Sequence, residues 1–260
     1  MQPRTLWLVT AALVLTACGR SGPPASAPAA DSGQPAAEAA AGASSEVDAS
    51  QSAAAAPAPA LVTDEVAGAP NTGRFRIGVD YQRLSPTQPT SSPPDQVEVA
   101  EVFWYGCPHC YHFDPTVEAW RAKKPEYVNF VRVPAVWNPL LQLHARAFYT
   151  AEALGKGAEM HSEFFREIHE RGNSLETEQK LQEFFGRFGV DAAAFKTAFD
   201  SFAVHAKLQR ADELNRRYRI GGVPTLIVNG KYTTEGGQTA NYDDLFELAN
   251  ALAAAEHAGK

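Results

Sequence analysis

The sequence predicts a small α/β fold that is interrupted by a block of helices. Two apolar strands, at 97–105 and 128–133, flank a helical segment and form a β-α-β unit. Apolar residues with helical spacing fill the next stretch, and strand character returns only at 225–228. We therefore expect one folded domain, residues 74–260, with a helical insertion at about 138–215.

The first 18 residues have the pattern of an export signal. Residues 6–17 form an apolar run behind Arg4, and this run is shorter than the ~20 residues of a bilayer span. It ends in Leu-Thr-Ala-Cys, which resembles the lipobox of bacterial lipoproteins. We expect residues 1–17 to be a signal peptide of the lipoprotein type and Cys18 to carry the lipid, with palmitate as an acyl group. Ordinary cleavage beside Cys18 is the alternative, and both versions deliver the protein to a compartment that permits disulfides.

A linker of low complexity separates this signal from the folded domain. Residues 19–73 contain 19 Ala, 7 Ser, 7 Pro and 6 Gly and no aromatic side chain, so they cannot bury enough apolar surface to fold. We expect residues 18–73 to be a disordered tether between a membrane anchor and the domain.

The whole chain has 23 basic and 30 acidic side chains, and this net charge of −7 argues against a nucleic-acid binder.

The first elements of the domain are strands that enclose a helix. A short strand is expected at 79–84. Residues 97–105 are mostly apolar on both faces, which predicts a central strand covered on both sides. Gly106 ends this strand, and a helix is expected to begin at Cys107-Pro108, because proline is tolerated in a first helical turn.

The second half of the domain is predicted as helices, a hairpin and a closing helix. Aromatic and aliphatic side chains recur at spacings of three and four through 140–202, and such stripes are more typical of a core than of a cofactor site. After the strand at 225–228, Asn229-Gly230 predicts a hairpin turn. A last amphipathic helix is expected from Tyr242 onward.

The strongest chemical signal is the sequence Cys107-Pro108-His109-Cys110. A CxxC pair that follows a buried strand and opens a helix is the context of a thioredoxin-like redox pair, because one helical turn brings the sulfurs close enough to bridge. Cys107 is expected at the exposed end of the helix, where free amides, the helix dipole and His109 lower its pKa and keep it as the nucleophilic thiolate. Cys110, one turn deeper, is expected to be the resolving thiol.

Two structural explanations for the same cysteines are weaker. A bridge that closes so short a loop constrains the unfolded chain little, so stability is a poor reason for it. A zinc site needs further ligands, and only His109 and His112 lie nearby, so we expect no metal and no cofactor. The remaining histidines are expected at the surface or as helix caps: His144, His161, His169, His205 and His257.

These motifs together resemble the DsbA family of bacterial periplasmic thiol:disulfide oxidoreductases. The resemblance covers residues 75–253 and rests on WYGCPHCY at 104–111, GGVPT at 221–225 and VNGKY at 228–232, in the expected order. It implies a thioredoxin-like fold with an inserted helical domain. It also implies that the whole Cys107–Cys110 motif is the redox centre, with a redox-active disulfide between the two cysteines.

The resemblance also assigns a role to Val223 and Pro224. The peptide bond between them is expected to be cis and to face the cysteines. Proline has no N–H and therefore suits a strand edge where a substrate peptide can pair. A trans proline that begins a strand is the structural alternative, since X-Pro bonds tolerate both forms.

Glu101 is the next candidate, because it lies on the predicted central strand. It matches an acidic residue that the family places beneath the disulfide as a proton-transfer group, and burial would raise its pKa so that it exchanges protons with Cys110. A strand-end glutamate that reaches solvent is the alternative. The family often pairs this acid with a lysine, and the nearest match here is Arg132, which could serve only as a fixed counter-charge.

The resemblance further predicts the direction of the reaction. A histidine before the second cysteine stabilises the reduced thiolate and makes the disulfide an oxidant. We expect a periplasmic donor of disulfides to newly exported proteins with free thiols, reoxidised by a quinone-coupled membrane oxidase resembling DsbB. A disulfide isomerase or reductase is the alternative enzyme, and a peptide-binding, chaperone-like module is the alternative outside enzymes.

Overall fold

The structure is a computed structural model that describes residues 69–235 and 241–259. The predicted signal peptide, Cys18 and the predicted tether up to residue 68 lie outside the described residues. At the end of that tether, Thr72 is buried, and its hydroxyl donates a hydrogen bond of 2.8 Å to the Phe75 carbonyl. The last residues assigned to the tether therefore contact the folded domain.

Five strands and seven helices are described, and their order follows the prediction. The strands are β1 (Gln82–Arg83), β2 (Val97–Phe103), β3 (Val128–Pro134), β4 (Thr225–Val228) and β5 (Tyr232–Glu235). The helices are α1 (Pro108–Arg121), α2 (Pro139–Ala153), α3 (Gly157–His169), α4 (Glu178–Gly186), α5 (Ala192–Phe199), α6 (Phe202–Arg217) and α7 (Tyr242–Ala258). Within the described ranges, none of these helices has the length and hydropathy that a membrane span requires.

The strands form one mixed sheet in the order β1-β5-β4-β2-β3. β2 lies inside this sheet, parallel to β3 and antiparallel to β4, and all seven of its residues are buried. The predicted β-α-β unit and central strand are therefore confirmed. The first strand is shorter than the predicted 79–84, because only Gln82 and Arg83 pair with β5 while the chain turns just before them.

Helices cover both faces of the sheet, because β2 carries apolar side chains on both. On one face, Val97 and Val99 pack with buried side chains of α1 and α7. On the other face, Ala100 and Val102 belong to the core of the helical insertion, α2 to α6. The aromatic stripes of the insertion lie in that core, as expected: Phe164, Phe165, Phe184, Phe185, Phe195 and Phe199 are each at most 2% exposed.

Polar side chains cap the N-termini of α2, α4, α5 and α6 in the insertion, whereas α3 begins without such a cap. The Asn138 side chain accepts a hydrogen bond of 3.0 Å from the Leu141 N–H at the start of α2. Thr177, Asp191 and Ser201 cap α4, α5 and α6 in the same way. Each such cap satisfies an amide that the helix leaves unpaired and contributes ~1 kcal/mol.

The two ends of the insertion lie close together at the end of β3. The side-chain amide of Asn215, near the end of α6, donates a hydrogen bond of 3.2 Å to the carbonyl of Pro134, the last residue of β3. These two residues lie 81 positions apart in the chain, and Asn215 is buried. We call this contact the neck of the insertion.

The expectation that His144 and His161 lie at the surface is wrong. Their exposed fractions are 2% and 4%. His144 stacks against Trp104, and His161 packs against Phe103, so both contact the segment that precedes the cysteines. A helical pattern in the sequence does not reveal such contacts, because they join positions far apart in the chain.

Candidate redox site

Cys107 lies immediately before α1, with Pro108 as the first helical residue, as the sequence predicts. Its φ of −86° and ψ of 119° are extended. Its N–H donates a hydrogen bond of 3.0 Å to the Trp104 carbonyl, which closes the turn between β2 and α1. The expected exposure of Cys107 is not observed: it is 8% exposed, because the Val223–Pro224 segment lies against its sulfur.

The Cys107 thiol is more acidic than an ordinary cysteine. Its pKa is lowered to about 6, and the largest cause is a hydrogen bond with the Cys110 side chain. Burial opposes this effect, while the backbone N–H groups of Cys110 and His109 and the charge of His109 add to it. The free amides at a helix start therefore contribute as expected, but the second cysteine contributes most.

Cys110 has the opposite character. It is fully buried, and burial together with the neighbouring Cys107 raises its pKa well above the ordinary value, with a further contribution from the charge of Glu101. At neutral pH the first sulfur is therefore a thiolate and the second a thiol. Both cysteines are unbridged in this structure, so the geometry is that of the reduced form.

The Val223–Pro224 peptide bond is cis and faces Cys107, as the resemblance implies. The Cys107 sulfur lies 3.5 Å from the Val223 carbonyl oxygen. The Thr225 hydroxyl donates a hydrogen bond of 2.8 Å to the Gly222 carbonyl, and Thr225 begins β4, which pairs with β2. The sheet therefore holds this segment beside the sulfur, and Val223 itself is only partly buried.

Glu101 is a buried acid beside the cysteine helix. It is 2% exposed, and burial raises its pKa to about 7, although the Arg132 guanidinium opposes this effect. Arg132 Nε donates a hydrogen bond of 3.0 Å to Glu101 Oε2. Because the charge of Glu101 raises the pKa of Cys110, the two groups are electrostatically coupled. A carboxyl with a pKa near 7 can give or take a proton at neutral pH.

Arg132 is shared among three carboxylates. Besides Glu101, its Nη2 donates to Asp114 Oδ1 at 3.2 Å and to Glu118 Oε1 at 2.7 Å. Burial lowers the pKa of Arg132, but the carboxylates outweigh this effect and raise it. Arg132 is therefore a permanent cation in this cluster, which fits its predicted role as a fixed counter-charge.

Sequence reasoning missed Asp114. It lies four residues after Cys110, on the same face of α1, and this spacing is the one signal that could have revealed it. The Ser162 hydroxyl donates a hydrogen bond of 2.8 Å to Asp114 Oδ2. Burial raises the pKa of Asp114, but contacts with His161, Arg132 and Ser162 outweigh burial and lower it. Asp114 is therefore ionised at neutral pH.

His161, which the sequence places at the surface, connects the same cluster to the insertion. Its Nδ1 lies 2.9 Å from the Tyr105 hydroxyl. Its Nε2 lies 3.2 Å from Asp114 Oδ1, but without the alignment of a hydrogen bond. Burial lowers the pKa of His161 to about 4, so the imidazole is neutral at physiological pH. No pattern in the sequence relates this histidine to the cysteines.

Other histidines of the insertion hold the turn that precedes Cys107. Trp104 Nε1 donates a hydrogen bond of 3.1 Å to His144 Nδ1, and His169 Nε2 lies 2.8 Å from the Tyr105 carbonyl.

Among the residues described, no group of three or more His, Cys, Asp or Glu side chains is placed to hold a metal ion.

This arrangement has counterparts among known proteins. A sequence model of the DSBA-like thioredoxin domain matches residues 131–253. The thiol:disulfide interchange protein DsbA of Azotobacter vinelandii is 40% identical over 178 residues, which are 68% of this chain and 83% of that protein. This chain belongs to the DsbA family. The DsbA of Pseudomonas aeruginosa is 37% identical over 184 residues, or 71% of this chain and 87% of that protein.

Solved DsbA structures share the fold. The crystal structure of Pseudomonas aeruginosa DsbA matches with a TM-score of 0.68 at 37% identity, over 71% of this chain and 96% of that chain. The structure of DsbA from Xylella fastidiosa matches with a TM-score of 0.67 at 32% identity, over 71% of this chain and 98% of that chain. The predicted α/β class, a thioredoxin-like fold with an inserted helical domain, is therefore confirmed.

Proposed function

We propose that this DsbA-family chain is a thiol:disulfide oxidoreductase that donates disulfide bonds to exported proteins in the periplasm. The observation that carries the proposal is the unequal acidity of the two cysteines, since the pKa of Cys107 is lowered to about 6 and that of Cys110 is raised. Pro108 and His109 complete the redox centre. The curated relatives are named thiol:disulfide interchange proteins, which agrees with this activity.

The proposed reaction begins with the Cys107–Cys110 disulfide. A substrate thiolate attacks the Cys107 sulfur, a mixed disulfide forms, and Cys110 leaves with the electron pair and takes a proton. The second substrate thiolate then attacks the substrate sulfur, and Cys107 leaves as a stabilised thiolate. Two electrons pass from the substrate dithiol to the enzyme, which ends with one thiolate and one thiol, and one proton goes to solvent.

Two further groups assist these steps in the proposal. Glu101 is the proton donor for Cys110, because burial penalises a Cys110 anion and the two groups are coupled. Val223 and Pro224 bind the substrate peptide, because their cis segment lies 3.5 Å from the sulfur that is attacked and Val223 is partly accessible. The stabilised Cys107 thiolate favours the reduced enzyme and therefore supports the oxidant direction.

Cysteine variants of the full chain test this function with a peptide dithiol. Cys107→Ser is expected to lose both dithiol oxidation and mixed-disulfide formation. Cys110→Ser is expected to form a stable mixed disulfide with a substrate disulfide, since the nucleophile remains and the resolving thiol is gone. A biological effect that survives Cys107→Ser would favour a peptide-binding module instead. Equilibration with glutathione buffers gives the direction, and a potential as reducing as that of thioredoxin would contradict the donor role.

The proposal also includes a partner, because the reduced enzyme must be reoxidised. A quinone-coupled membrane oxidase resembling DsbB would take the two electrons from the Cys107–Cys110 dithiol. Reduced protein incubated with bacterial inner membranes is expected to regain its disulfide only when quinone is present. Equal reoxidation in air without membranes would argue against such a partner.

We further propose the lipoprotein form and its domain organisation. Residues 1–17 would be removed, Cys18 would carry palmitate and anchor the protein, and residues 18–73 would tether the domain at 74–260. The lipobox-like motif and the composition of the linker support this organisation. Wild-type protein is expected in the membrane fraction and Cys18→Ser in the soluble periplasmic fraction, with equal dithiol oxidation. An unacylated mature N-terminus in mass spectrometry would contradict the anchor.

A further inference from the structure

The cluster around Arg132 contains more acid than base. Glu101, Asp114 and Glu118 all contact its single guanidinium. The titratable neighbours also include Cys110 of α1, next to Glu101, and His161 of α3, which is neutral because burial lowers its pKa to about 4. Tyr105 interacts with Arg132, Asp114 and Glu101 as well, and burial raises its pKa, so its hydroxyl is neutral. In the proposed reaction Glu101 must hold a proton near neutral pH. A buried carboxylate that had an arginine to itself would remain ionised.

Asp114 and Glu118 compete with Glu101 for Arg132, and the two differ in their exposure to solvent. Both accept from Arg132 Nη2, but the Asp114 side chain is 7% exposed and the Glu118 side chain is 43% exposed. Both side chains line a groove of about 340 Å³, but Glu118 is far more exposed and also pairs with Arg121, so water and a second cation screen its charge. The charge of Asp114 is largely buried and is screened less, and Asp114 therefore acts on Glu101 more strongly.

The helical insertion holds Asp114 in this position. The Ser162 hydroxyl donates to Asp114 Oδ2, and the His161 imidazole lies against Asp114 Oδ1. Both residues belong to α3, whereas Asp114 belongs to the cysteine helix. The contact between α1 and α3 thus leaves Oδ1 of Asp114 facing Arg132, because Ser162 occupies Oδ2.

We propose that Asp114 is a positioning residue for proton exchange at the redox centre, because its largely buried carboxylate engages Arg132 and prevents Arg132 from fully neutralising Glu101. The inference rests on the proposed function, in which Glu101 protonates Cys110. It adds a role for Asp114, which acts on Glu101 and does not contact the sulfurs. It also gives the insertion a role, because Ser162 holds Asp114 in place.

The test compares two neutral variants that remove partners of the same Arg132 nitrogen. Reduced full-length protein with carboxyl-labelled glutamate is titrated by NMR, and Glu101→Gln assigns the Glu101 signal. Asp114→Asn is expected to lower the Glu101 midpoint by about one pH unit, which is a tenfold change in the ratio of its protonated to its ionised form. The matched control Glu118→Gln is expected to lower it by less than half as much. Asp114→Ser is the second neutral variant should Asp114→Asn fail to fold.

An unchanged Glu101 midpoint in the Asp114 variants would overturn the inference, and so would an equal shift in Glu118→Gln. The pH profile of dithiol oxidation is measured in parallel and is expected to move with the midpoint. In a Glu101→Gln background, Asp114→Asn is expected to leave that profile unchanged, because the group on which Asp114 acts is gone. If the midpoint moves and the profile does not, the proton-transfer role of Glu101 in the proposed function fails, while the action of Asp114 on Glu101 stands.

Discussion

Cys107 and Cys110 lie one helical turn apart at the start of α1, yet burial and hydrogen bonding give their thiols opposite acidity. Because the hydrogen bond with Cys110 is the largest cause that lowers the Cys107 pKa, its removal should matter most. We expect Cys110→Ala to raise the titration midpoint of Cys107 more than His109→Ala does. The ultraviolet absorbance of the thiolate measures both midpoints. A larger shift in His109→Ala would show that the imidazole charge is the main cause.

The Cys107 thiol also makes the stability of the reduced protein depend on pH. Folding lowers the pKa of Cys107 from 9.0 to about 6, so between these values the unfolded chain binds more protons than the folded one. The stabilisation is therefore complete above pH 9 and is lost as pH falls through 6. The melting temperature of the reduced form, relative to the oxidised form, is expected to rise from pH 5 to pH 9. A constant difference would contradict this prediction.

A site residue was predictable from the sequence when it lies near the cysteines in the chain or pairs with a known residue on an adjacent strand. The CxxC motif and the strand at 97–105 place Cys107, Cys110 and Glu101, and the β2–β3 register places Arg132 beside Glu101. His161 was not predictable, because it reaches the cluster through packing of α3 on α1 and not through a sequence pattern.

The turn between β2 and α1 depends on the absence of a side chain at Gly106. A Cβ there would lie 2.3 Å from the Trp104 ring, whose indole is held by His144. Gly106→Ala is expected to reduce the free energy of unfolding by ~1–3 kcal/mol, because the ring must move from its place. Denaturant unfolding measures the loss. Gly186→Ala is the control, since a Cβ at that position meets nothing within 4 Å, and an equal loss there would contradict the steric explanation.

The helices and strands were largely predictable because their signals are local. Apolar spacing located the insertion, and Asn229-Gly230 marks the hairpin. The first strand was overestimated, since strand propensity over 79–84 does not show that the chain turns before Gln82 and leaves two residues to pair.

For the whole molecule, burial of His161 between the insertion and the sheet should make stability sensitive to acid. Its folded pKa of about 4 lies below the ordinary 6.5, so the unfolded chain binds the extra proton and stability falls as pH drops from 6.5 to 4. Glu101, whose pKa is raised to about 7, acts in the opposite sense. The wild-type curve alone therefore does not isolate the histidine.

Variants at position 161 separate the two effects. His161→Gln and His161→Phe are each expected to destabilise the protein less at pH 4.5 than at pH 7.5, with a difference of about 2 kcal/mol, because the group that must stay unprotonated is gone. Urea unfolding at the two pH values measures this difference. A destabilisation that is independent of pH in both variants would contradict the prediction.

For the whole molecule, the sequence predicted one domain with an insertion, because the β-α-β unit, the helices and the hairpin follow one another in the chain. It did not predict how closely the insertion contacts the redox centre. Those contacts form only when α3 packs on α1, so Asp114 meets Ser162 across 48 positions of the chain.

The neck between Pro134 and Asn215 has an evolutionary consequence. Because Pro134 and Asn215 lie 81 positions apart in the chain yet share a buried hydrogen bond, the two ends of the helical insertion lie close together, and helices between them that do not contact the redox centre can change in length without moving β3. Such changes are expected to leave the sulfur chemistry intact only where they keep α3, whose Ser162 holds Asp114 beside Arg132.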